Sequence, residues 1–110
     1  MAINKFLDEN PKNSGFLDYV IAQGLRGNHI LFDNETIRRA FEKGSGELTS
    51  LGVERVREVR EALRDIFSTP GTEDKRDYIQ QLPEEVKHIL VFLYFQILEK
   101  NILSSKNRLQ

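Results

Sequence analysis

Cysteine is missing altogether, which leaves the chain no disulfide framework and no thiolate chemistry and suits a reducing compartment. Histidine is scarce, with only His29 and His88. Neither has a second histidine, a cysteine or a dense carboxylate cluster beside it in sequence, whereas a zinc-type site needs three or four such ligands. Charge of one sign is not in excess: 16 basic and 17 acidic residues give a formal charge of −1, no global field for nucleic acid or anionic lipid. The longest apolar run, residues 89–98, is about half of the roughly 20 residues a membrane span requires, and Lys87, His88, Glu99 and Lys100 flank it. The first residues, M-A-I-N-K-F-L-D-E-N-P, lack the basic stretch and apolar run of a signal peptide, so a cytoplasmic protein is expected. Catalytic patterns are lacking too: there is no G-x-S-x-G and no H-E-x-x-H. Gly44-Ser45-Gly46 has neither the preceding strand nor the following lysine of a phosphate loop. The expectation is a non-enzyme with no cofactor and no metal.

What is present is the composition of a folded globule, 39% hydrophobic and 30% charged, and 110 residues suit one domain that buries roughly two thirds of its unfolded surface. The apolar spacing is helical, and no run alternates beside hairpin-type turn residues. Ile3, Phe6 and Leu7 allow a helical turn or two before a break at Pro11. Phe16, Leu17, Val20, Ile21 and Leu25 then predict a helix over 14–25 with Ser14 as its N-cap. Asp33 or Asn34 caps a second over 34–43, with Ile37, Ala40 and Phe41 inward and Gly44 ending it. The stretch K-G-S-G-E-L reads as a turn. A third helix, over 50–67 behind Thr49 or Ser50, places Val53, Val56, Val59, Leu63, Ile66 and Phe67 on one stripe and charges elsewhere. Ser68-Thr69-Pro70-Gly71 stops it, and Thr72 begins a capping pattern for a short helix that turns Tyr78, Ile79 and Leu82 inward. Pro83, Glu84 and Glu85 open the last helix, over 84–103. The expected fold is therefore all-α, four main helices and one or two short ones packed around the C-terminal apolar helix. Residues 1–103 form one domain and 104–110 a flexible polar tail.

The last helix carries the functional expectation. In projection, Val86, Ile89, Leu90, Leu93 and Ile97 form one apolar stripe, and Val91, Phe95, Leu98 and Ile102 a second. Glu85, His88, Gln96 and Glu99 mark a polar line that Phe92 interrupts. Leaving several large apolar side chains wet would forgo about 1.5–3 kcal/mol each. Either the other helices wrap this one nearly completely or a second chain covers the remainder, and the second is favoured. The chain then reads as a protein–protein interaction module, a small adaptor or regulatory subunit binding a protein partner or a second copy of itself. Its contact residues are Phe92, Phe95, Tyr94, His88 and Gln96, with Arg60 and Phe67 flanking a seam on the 50–67 helix. The alternative is a nucleic-acid-binding transcriptional regulator using arginines of the 34–43 and 50–67 helices. Residues 48–59 loosely resemble a helix-turn-helix, with a glycine between apolar positions. Against it, acids match arginines from Glu54 to Asp65, which opposes the positive surface that phosphate contacts need.

Overall fold

Six helices and no strand are found among the described residues; the structure, a computed structural model, describes the backbone of residues 11–108 and the side chains of residues 15–104. In chain order the helices are α1 (Pro11–Leu25), α2 (Asn34–Lys43), α3 (Ser45–Glu54), α4 (Val56–Ser68), α5 (Thr72–Gln80) and α6 (Glu84–Arg108). The all-α expectation holds. The 25 residues of α6 span roughly 37 Å, and α1, α2, α3 and α4 all pack against it, while α5 lies against α4. No helix among the described residues is long and apolar enough to cross a membrane. The turn expected at Ile3, Phe6 and Leu7 lies outside the described residues.

Local chemistry explains where the helices begin and end. α1 starts at Pro11, earlier than the spacing suggested, because a proline at the first helical position gives up an N–H that has no partner there anyway. Ser14 is therefore inside the helix and is not its cap. At the other end Gly27 takes φ 90°, and the Gly27 and Asn28 amides donate to the carbonyls of Gly24 and Gln23 at 3.0 and 2.9 Å. Gly24 itself has no room for a side chain, since a Cβ there would stand 2.9 Å from a Leu98 methyl and against the Tyr94 hydroxyl. α2 begins as expected: Asp33 is the N-cap, its Oδ1 accepting from the Thr36 amide at 2.7 Å, and Gly44 ends the helix at φ 82°.

The expected single helix over 50–67 is two helices. The turn at Lys43–Gly46 shrinks to Gly44 alone, and α3 starts at Ser45. Thr49 is not a cap; its hydroxyl donates to the Ser45 carbonyl one turn back at 2.8 Å. The chain bends at Arg55 (φ −112°, ψ 26°), whose amide still donates to Leu51 and whose carbonyl accepts from Val59. α4 ends at the predicted stop, where the Ser68 and Thr69 hydroxyls donate to the Arg64 and Asp65 carbonyls, each at 2.7 Å. Buried Lys75 of α5 finishes that end by donating to the carbonyls of Ile66 and Thr69, with its ammonium 4.6 Å over the Phe16 ring. Gly71, at φ 80°, precedes α5 with no side-chain cap, so Thr72 is a first helical residue and not the cap. α6 continues past the expected end near 103 to Arg108.

The core lies along α6. Val86, Ile89, Leu90, Val91 and Leu98 are buried together with Val20, Ile66 and Ile79, so both apolar stripes of α6 turn inward over most of its length. The surrounding helices thus wrap it further than the sequence reading favoured. Ile102 and Leu103 remain exposed.

Candidate protein-docking groove

α4 runs beside α6 in the same direction: Arg55, at the head of α4, pairs with Glu85 in the first turn of α6 at 3.3 Å, and Leu63 and Phe67 reach the level of Leu93 and Ile97. Between the two helices, closed at one side by α3, lies a groove of about 400 Å³. Its floor and walls are Leu48, Gly52, Val53, Val56, Val59 and Leu63 from α3 and α4, and Ile89, Phe92 and Leu93 from α6, with Thr49, Arg60 and Gln96 at the polar margins. Val53 is 75% exposed and Val56 48% exposed, large fractions for residues expected on the inner stripe of a single helix. Both lie on the groove-facing edge of that stripe, turned away from the buried sector of Val59, Ala62 and Ile66.

Of the seven residues singled out from the sequence, the structure brings three together here: Phe92, half-buried, and Gln96 and Arg60 at the margins. The other four lie elsewhere. Phe95 is half-buried on a different side, its ring centroid 4.9 Å from His29 and 5.0 Å from Phe41. Tyr94 is buried, within reach of Phe32 and Phe95, and its hydroxyl is 2.7 Å from His29 Nδ1; burial holds that hydroxyl up at about 12. Phe67 packs edge-on against Phe16 at 6.2 Å, next to α1. His88, placed on the polar line by projection, is only 3% exposed and so is no surface contact. α2 covers that sector of α6, which a projection of α6 alone does not show.

His88 instead lines a second, polar hollow of about 150 Å³ between α2 and the start of α6. Arg39 bridges the helices there, donating to Glu35 at 3.0 Å and Glu84 at 2.9 Å, while Gln80 donates to Asp33 at 2.9 Å. Arg39 holds the Glu84 carboxyl below its usual range, and the Thr36 hydrogen bonds do the same for Asp33. Burial, and then Lys43 nearby, push the His88 ring below the usual histidine value, with Glu84 3.9 Å from Nε2 opposing. Among the described residues no group of three or more potential ligands is arranged for a metal ion.

Val53, Val56, Leu48 and Gly52 were missed as site residues. The one available signal was that Leu48 already continues the apolar spacing of Leu51 upstream of the expected cap at Thr49 or Ser50. Searches against family models, curated proteins and solved structures find no match to this chain.

Proposed function

We propose that the chain is a non-catalytic protein–protein interaction module, a small cytoplasmic adaptor or regulatory subunit, whose contact surface is the groove between α3, α4 and α6. The observation that carries this reading is the exposure of Val53 and Val56 above an apolar floor that includes Phe92. A groove of that shape and lining suits the apolar face of a partner helix. Other exposed apolar residues, among them Tyr19, Leu25 and Phe41, support it less: Phe41 already stacks on Phe95. The histidines speak for the non-catalytic part, since His29 is tied to the tyrosine of an aromatic cluster and His88 is buried at the base of the polar hollow beside α2. Self-association is contained in the same proposal, with a second copy of the chain as the occupant.

A photo-cross-linking residue at Val53, compared with one at Arg38 on the outer face of α2, tests the reading in cells that express the chain. The expected result is a discrete adduct from position 53 that disappears with Phe92→Asp, and none from position 38. An adduct of twice the chain mass identifies the homodimer. Identical adducts from both positions, or none from 53, would refute the proposal.

A further inference from the structure

The charges around the groove are sorted by sign, and this sorting speaks to the partner. At 100° per residue, the core residues Val59, Ala62 and Ile66 of α4 occupy one sector, and Val56 and Leu63 turn from them toward the groove. Arg60 lines the groove, and Arg64 and Arg57 follow on the next sector outward. All three arginines are exposed, and none pairs with an acid among the described residues. The acids of α4 are placed or engaged elsewhere. Glu58 pairs with Arg55 at 3.1 Å, and Asp65 accepts from the Tyr78 hydroxyl of α5 at 2.7 Å, with Glu61 acting on the same hydroxyl. On α3, Glu47 and Glu54 fall on the side opposite Thr49 and Val53. On α6, Glu85 is engaged by Arg55, and exposed Glu99, followed by Lys100, stands beyond Gln96. A chain of net charge −1 thus presents an apolar groove with unpaired Arg60 at its margin and unpaired Arg64 and Arg57 on the exposed sectors just outside it.

The geometry points to an acidic amphipathic helix as the occupant: a partner segment of two to three turns with apolar residues at i, i+3 or i+4, and i+7, and carboxylates on the flank that meets Arg57, Arg60 and Arg64. From Ile89 to Gln96 the α6 wall rises roughly 10 Å, two turns of such a helix. The partner helix lays its apolar face over Val53, Val56 and Phe92, and its acidic flank sets its direction. This inference rests on the docking reading above and adds the chemistry of the partner to it.

The test is selection of helix-forming peptides from a displayed random library against the full chain, with the recovered peptides remeasured on two variants. Val53→Asp spoils the apolar floor, and the triple Arg57→Glu/Arg60→Glu/Arg64→Glu reverses the margin. All four positions are exposed, so both variants retain the fold, checked by circular dichroism. The expected peptides are enriched in Asp and Glu along one flank, lose binding with Val53→Asp, weaken by about tenfold or more with the triple reversal, and weaken with added salt. Peptides that depend on Val53 yet show no acidic bias and tolerate the reversal would overturn the acidic partner while leaving the groove in place. Failure to recover any peptide sensitive to Val53→Asp would overturn both. Two further results also count against the inference: a duplex DNA or RNA oligonucleotide whose binding is lost in the triple variant but kept in Val53→Asp, or a dimer of the chain alone, seen by light scattering, that Val53→Asp dissociates.

Discussion

The two long sides of α6 are made from one helix and finished in opposite ways. On the α2 side, Arg39 bridges to Glu84, Gln80 reaches Asp33, and His88 and Ala40 are sealed beneath. On the α4 side the ion pair of Arg55 with Glu85 fastens one end, and below it the surface opens over Val53, Val56 and Phe92. Small side chains do opposite things on the two sides. Ala40, 1% exposed, lets α2 approach α6 closely, whereas Gly52 leaves open space, since a Cβ there would meet only an Ile89 methyl at an ordinary 3.7 Å. A polar residue is therefore buried where the neighbouring helix closes down, and an aromatic is left half-exposed where it does not. Which side chain of α6 meets solvent is decided by its neighbours as much as by its own sequence.

The sharpest way to break this contrast is to remove volume on both sides of the groove floor. Ile89→Ala should cost about 2–5 kcal/mol in denaturant unfolding, because Ile89 is core as well as floor, while Val53→Ala stays within about 0.5 kcal/mol. Equal losses would mean that Val53 is packed after all. Adding volume comes next: Ala40→Leu on the sealed side should destabilise by about 1–3 kcal/mol through overpacking, read from the same unfolding curves.

The pH dependence of the sealed side is smaller and has a definite sign. His88 titrates below the usual 6.5 in the folded chain because burial penalises its charged form. The unfolded chain takes up the proton first, so stability is complete above about 6.5 and falls as the pH drops below it, by no more than about 1.4 kcal/mol per pH unit for one proton. Unfolding measured from pH 7.5 to 5.5 stays above the range in which the carboxylates titrate, and His88→Leu should flatten the slope; an unchanged slope would place the titration elsewhere. Smallest of all is Gly52→Ala, predicted to stabilise by about 0.5–1 kcal/mol, since the added methyl has room and a mid-helix glycine is removed. Destabilisation would show that the groove is tighter at Gly52 than the 3.7 Å spacing indicates.

Much of the frame was legible in the sequence. The D-N-E-T start of α2, Gly44 at its end, the S-T-P-G stop and the Pro83-Glu84-Glu85 opening of α6 each carry their own chemical signal, and each falls where the spacing put it. The break between α3 and α4 had no such signal. It falls at an arginine with no glycine or proline beside it, and one continuous apolar stripe runs across it in sequence. Val53 and Val56 were misplaced because the buried sector, Val59, Ala62 and Ile66, is narrower than that stripe. Phe92 was legible because an aromatic on a polar line is conspicuous in any projection. His88 and Tyr94 were not, because their burial depends on α2, α1 and the loop carrying His29, which approach α6 from far away in sequence. The Lys75 contact with the end of α4 was likewise invisible, being a tertiary cap supplied by the next helix.

The central claim, that the α4 side of α6 is a docking surface and the α2 side is closed, is tested most directly by amide chemical-shift mapping on the isotopically labelled full chain during titration with a selected acidic peptide. The account predicts shifts concentrated at residues 48–63 and 89–96, with Asp33, Arg39 and the His88 neighbourhood unmoved. Shifts centred on α2 and His88, or no shifts at peptide concentrations that saturate the displayed form, would contradict it.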